Sequence, residues 1–191
     1  MKTILCFIIF LLLFYVNPQA IATTNIGFNL GYTRMQSESL KNYNIFGEGH
    51  VTELKLGSRE VMNEFGIYLA KRYTTAKIDH DEVEGQIKYN SEVLGVYFAK
   101  YFNNTYVEIG YGKVSGESKI NGEYSPSQKK IIEKLYKSTD IEKNSTEIKL
   151  TLGLKLMSFD SSVLILNGTK IYNQDNTIDY SIGSLELKMT F

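Results

Sequence analysis

Two histidines are the first residues of this sequence that could do chemistry. His50 stands in HVTE, two residues before Thr52. A base beside a hydroxyl is the minimum for acyl transfer, yet the pairing arises often by chance, and an interfacial polar residue near a strand end is the plainer reading. His80 lies in KIDHDEVEGQ with Asp79, Asp81, Glu82 and Glu84. Such a stretch offers oxygens to a divalent cation, or is a solvated acidic loop with no ligand. No Gly-rich phosphate loop, zinc-ligand spacing or nucleophile elbow occurs. No catalytic residue, metal site or cofactor is assigned on this basis, and the chain is expected not to be an enzyme.

A second set of residues is more telling. Glu53, Lys55, Glu64, Arg72, Glu108, Glu147, Lys149, Lys155, Glu186 and Lys188 are five acids and five bases. All fall on the polar side of segments that alternate apolar and polar residues. Charges that share a confined space must be paired, because an isolated buried charge costs several kcal/mol even after relaxation. Equal numbers permit that pairing.

The elements that must position them are strands. Eight stretches show period-two patterning or β-rich composition: 24–35, 46–56, 62–73, 91–102, 104–115, 146–157, 161–172 and 178–191. Each is about a dozen residues long, against ~5–6 for an ordinary strand and ~9–11 for one that crosses a bilayer at a tilt. The clearest is TEIKLTLGLKLM, with Ile148, Leu150, Leu152, Leu154 and Leu156 on one face and Glu147, Lys149, Thr151, Gly153 and Lys155 on the other. Val51 and VLILNG (163–168) break parity, as a bulge or a buried contact would. Long connections (36–45, 74–90, 116–145, 173–177) alternate with short ones (57–61, residue 103, 158–160). Even strand number, short turns at one rim and long loops at the other define an all-β, eight-stranded antiparallel up-and-down transmembrane β-barrel.

A soluble barrel of the same size would bury its apolar face, so the orientation has to be argued. The polar face carries the ten charges and many small residues, among them Gly27, Gly31, Gly66, Ala70, Gly95, Ala99, Gly110, Gly112 and Gly153. An eight-stranded barrel is only just wide enough for its own side chains, so small residues belong inside. The apolar face carries Tyr32, Phe65, Tyr73, Phe102, Tyr111 and Phe191 near strand ends, where aromatic girdles sit. Its lysines, Lys71, Lys100 and Lys113, also lie near strand ends.

Composition bounds the rest. The 191 residues suit one domain, and 21 basic against 21 acidic residues leave no field for nucleic acid. Lys2, the apolar run Ile4–Val16 and the small residues Ala20 and Ala22 have the order of a secretory signal peptide. Residues 1–22 are expected to be removed, with Ala20 as the alternative cleavage point, leaving 23–191 as the barrel domain. An uncleaved anchor is the other possibility, though the run is short of the ~18 apolar residues of a spanning helix. Cys6, the single cysteine, falls in this segment, so the mature chain is expected to hold no disulfide.

At this point the chain resembles the small eight-stranded bacterial outer-membrane proteins of the OmpX/OmpA-barrel type. The similarity is one of architecture over the whole mature chain. In that family the last strand ends on an aromatic preceded by apolar residues at alternate positions. Leu185, Leu187, Met189 and Phe191 fit, with Met189 standing where an aromatic is frequent. The resemblance implies that this strand is read by the barrel-assembly machinery, that the protein resides in the outer membrane, and that both termini face the periplasm. The expected partners are outer-membrane lipid and lipopolysaccharide, with the chain a monomer. In the 116–145 loop, Ser125 and Pro126 can start a helix. Lys129, Lys130, Lys134 and Lys137 could then meet lipopolysaccharide phosphates; alternatively this stretch is the hairpin by which the flanking strands extend. Ligand contact is expected here or in 74–90. A salt-bridged interior predicts no open pore, so a surface or envelope-integrity role (adhesion or ligand contact through the loops) is preferred over a small porin or transporter, or a lipid-A-modifying enzyme.

Overall fold

Alternating sequence makes strands, and a strand this long needs a partner on each edge. The computed structural model describes residues 23–37, 47–80, 83–121, 124–130, 145–173 and 178–191. They form β1 (Thr23–Ser37), β2 (Gly47–Glu60), β3 (Asn63–His80), β4 (Val83–Phe102), β5 (Thr105–Asn121), β6 (Ser145–Ser158), β7 (Ser162–Asn173) and β8 (Ile178–Thr190). Neighbours in sequence pair antiparallel, and β8 pairs back onto β1 to close the barrel. A ladder row followed once around, from Ile26 through Leu56, Ile67, Val96, Tyr111, Ile148, Tyr172 and Asp179, returns to β1 at Gln36. The row has climbed ten residues, so the strands tilt steeply against the barrel axis.

Parity sorts the side chains. Leu30, Leu69, Leu94, Ile109, Leu152 and Leu185 face outward, with Leu152 at 67 % exposure. Asn25, Asn29, Lys55, Tyr68, Glu108, Lys149 and Glu186 face inward and are buried. The outward band of Leu, Ile, Val and Phe suits hydrocarbon, while every strand backbone finds a partner in the closed ladder. The two parity breaks resolve differently. Val51 is an inward residue, 4 % exposed. The VLILNG stretch pairs with β6 across a register shift between Lys155 and Met157, which leaves Ile165 inside and Leu164 and Leu166 on the other parity.

The short turns at 103–104 and 159–161 stand close to where they are expected, while the first is confined to 61–62 because β2 runs on through Gly57 to Glu60. Asn103 adopts a left-handed φ of 44°, which Asn tolerates better than most residues. The region 74–90, expected as a long loop, is instead mostly strand: β3 runs on to His80 and β4 starts at Val83. Likewise β5 continues to Asn121 rather than ending near residue 115. The alternation persists there with its polarity reversed. Thr74, Ala76, Ile87 and Tyr89 are buried while Thr75 stays half-buried and Lys77, Lys88, Glu117 and Lys119 face out and are exposed.

Candidate functional site

The inward side chains build a plug in tiers, starting at the rim where the two chain-end strands meet. In the lowest tier Lys188 Nζ lies 2.9 Å and 3.0 Å from the two Glu64 oxygens. Glu64 also accepts from Asn25 at 3.1 Å and Tyr101 at 2.8 Å, and from the Tyr97 hydroxyl. The middle tier is a shared cluster. Lys55 Nζ sits 2.8 Å from Glu108 and 3.1 Å from Glu186, and Lys149 sits 2.9 Å from both Glu53 and Glu108. In the upper tier Arg72 holds Glu147 with two parallel hydrogen bonds of 2.7 Å, and Tyr68 donates to the same carboxylate at 3.2 Å. The fork geometry of Arg suits this two-point grip.

Nine of the ten charged residues read from the sequence therefore meet inside the barrel. Lys155 does not. It stands exposed at the lower mouth, where β6 loses register against β7. It lines a small vestibule there, together with Lys188 of the lowest tier, rather than joining the cluster.

With Lys155 outside, Lys55, Arg72, Lys149 and Lys188 face five carboxylates. Neutral donors make up the difference. Glu186 receives the Tyr106 hydroxyl at 3.0 Å and the Asn167 amide at 2.8 Å, besides Lys55. These tyrosines and asparagines were not singled out from the sequence. The signal was there: Tyr68, Tyr97, Tyr106, Asn25 and Asn167 share the inward parity of the charged residues. Inward glycines make room for their rings. A Cβ on Gly153 would lie 2.0 Å from a Tyr106 ring atom, and one on Gly95 would lie 2.4 Å from Tyr68.

Among the described residues the tiers are packed tightly against one another. Groups lining a water-filled lumen would be exposed, yet Glu108, Glu147 and Glu186 are 0 % exposed and Lys55 and Arg72 only 1 %. The plug's tyrosine hydroxyls, on Tyr68, Tyr97, Tyr101 and Tyr106, all donate to its carboxylates.

The outer wall carries the other residues read from sequence. Leu185, Leu187, Met189 and Phe191 all take outward parity, and Phe191 is 72 % exposed. Its backbone N–H donates to the Thr24 carbonyl at 2.9 Å, extending the β8–β1 seam past the last strand residue. Lys71 pairs with Glu92 at 2.8 Å where the apolar band gives way to polar residues. His50 stacks on Tyr73 at the same level, with ring centroids 5.0 Å apart, and Thr52 is its neighbour on the outward face. Among the described residues no group of three or more His, Cys, Asp or Glu is arranged to hold a metal ion. Residues 81–82 beside His80 lie outside the described residues, as do 131–144, which include Lys134 and Lys137.

Beyond the end of β5, the 116–145 stretch does form a helical turn at 126–130. Ser125 caps it: the Gln128 N–H donates to Ser125 Oγ at 3.4 Å, and the Ser125 N–H donates to Gln128 Oε1 at 2.9 Å. This reciprocal pair is a capping box.

A closed eight-stranded up-and-down barrel, apolar outside and ion-paired inside, has the fold of the small outer-membrane barrels. A solved structure agrees at that level. The chain is similar to Neisserial surface protein A, with 12 % identity and a TM-score of 0.53 over 90 % of this chain and 99 % of that one. It also aligns with Ail, the attachment invasion locus protein of Yersinia pestis, at 13 % identity and a TM-score of 0.47, over 89 % of this chain and 99 % of that one. No protein-family model matches the sequence, and none of the curated proteins does.

Proposed function

We propose that this chain is a non-conducting, non-enzymatic barrel of the bacterial outer membrane that works as a rigid mount for its upper rim. The observation that carries this reading is the sealed plug, with Glu108, Glu147 and Glu186 fully buried. A transporter needs a lumen, and the ion pairs occupy it. What is left free to act is the upper end, where β3 and β4 reach 18 and 20 residues although ~9–11 suffice to cross a bilayer. The surplus raises a polar, charged sheet above the apolar band. Contact with a host surface, another envelope component or lipopolysaccharide would fall there, as functional contacts on rigid scaffolds commonly do. Residues 1–22 direct export in this reading, and the seam ending at Phe191 is what the assembly machinery recognises. The wall suits a monomer, since each strand already has both partners.

Planar-bilayer recording tests it together with surface labelling. The folded protein, identified by its altered gel mobility before boiling, should give no unitary conductance. With Lys88→Cys as the tag site, a membrane-impermeant maleimide should label intact cells. Stepwise conductance, or labelling only after lysis, overturns the proposal.

A further inference from the structure

The lower mouth holds a small, partly open vestibule of about 80 Å³. That is room for a few waters, each taking roughly 30 Å³ of liquid volume, or for one small polyatomic ion. Three of its eleven lining residues are cations, Arg59, Lys155 and Lys188, and none is an acid. Lys188 is neutralised by Glu64 at 2.9 Å. The other two are not. Among the described residues Lys155 has no ion pair. Arg59 lays its guanidinium 4.0 Å over the Tyr101 ring and spends only Nε, donating to the Val61 carbonyl at 3.1 Å. Two cations that line one small cavity with no acid in its lining make it electropositive, and a bound anion is favoured there. The remaining lining supplies neutral amide donors on Asn103 and Asn104. A carboxylate presents two oxygens to such a ring of donors, whereas a phosphate presents at least three.

We propose that Arg59 and Lys155 form a phosphate-binding site in the lower vestibule, between the β4–β5 turn and the register shift in β6. The phosphate comes either from a lipid headgroup at that rim or from a soluble phosphate in the adjoining compartment. The chemistry is shared, and the two sources are separable. This site does not depend on the surface role proposed above.

The test uses the full folded barrel in maltoside micelles, which contain no phosphate. Inorganic phosphate is titrated in one arm and dihexanoyl phosphatidylglycerol in the other, following backbone amide shifts of Asn103, Asn104 and Thr105. Saturable shifts in either arm are expected, and the tighter arm identifies the source. Arg59→Gln with Lys155→Gln should weaken binding by about tenfold or more, as loss of charge-assisted hydrogen bonds does. Lys155→Arg should restore the Lys155 contribution in the Arg59 background. Both positions lie outside the buried plug, and the gel-mobility shift of each variant verifies folding. Shifts that stay linear in both arms, or saturable binding unchanged in the double variant, overturn the proposal.

Discussion

The same strands obey opposite rules over two stretches. From Glu64 to Tyr73, β3 turns Phe65, Ile67 and Leu69 outward and Glu64, Tyr68 and Arg72 inward. A few residues further, Ala76 is buried beside Met35, Ile87 and Tyr89, while Lys77 and Lys88 face out. The backbone and its pairing do not change between the two stretches. What changes is the medium, from hydrocarbon to water. In lipid the wall must be greasy, and the polar groups retreat inside, where they need each other. Above the lipid the wall must be wet, and the interior becomes an ordinary apolar core. The level of Lys71, Glu92, His50 and Tyr73 marks the change.

The largest blow to this contrast should come from within the belt. Lys55→Ala strips Glu108 and Glu186 of a shared cation that lies at 2.8 Å and 3.1 Å. Removing one partner of a buried pair costs about 3–5 kcal/mol, and urea unfolding in lipid vesicles should show a loss of that size. A loss under about 1 kcal/mol, the scale of a surface pair, would mean that the interior is wet and the contrast false. The next effect is on the wall. Leu152→Lys places an ammonium on the lipid face and should cost roughly 2–4 kcal/mol in the same assay. Thr75→Lys, an outward position above the belt, should cost nothing measurable. Equal costs at the two sites would erase the proposed boundary. The smallest effect lies well above the membrane. A hydrogen bond and the positive charge of Lys119, 3.0 Å away, hold the Glu117 carboxyl below the ordinary carboxylate range. A carboxyl lowered by folding adds its stability above the unfolded value and loses it as the pH falls through the folded value. Lys119→Ala should therefore return the Glu117 titration, followed by carboxyl-carbon NMR, to the ordinary range while leaving the unfolding midpoint in place. An unchanged titration would remove Lys119 as the cause.

How much of this could be read from residues alone follows from the same contrast. Within the belt, TEIKLTLGLKLM announces its two faces, and the eight strands with their short turns lie close to where the pattern puts them. Above the belt the pattern inverts, so a reading tuned to apolar-out, polar-in ends β3 at Tyr73 and treats Thr74 to Asn90 as loop. The charged set was legible through parity alone. Parity does not say how far along the axis the plug extends, and Lys155, still paired with Ile165 before the register shift, stands at the mouth beyond the buried cluster. The tyrosine and asparagine donors went unnoticed for another reason. A neutral polar residue at an inward position looks unremarkable until a carboxylate is seen to lack a cation.

Lys55 and Glu186 are 131 residues apart in the chain, and Lys188 and Glu64 are 124 apart. Neither contact can form until the first and last strands have come together. Contacts this distant make folding slow, because the entropy of closing the loop is spent before any contact rewards it. Until closure, each of these carboxylates and ammonium groups must keep its water. The cylinder must therefore close around a hydrated interior and dry out afterwards, so expulsion of that water belongs among the last steps of its maturation.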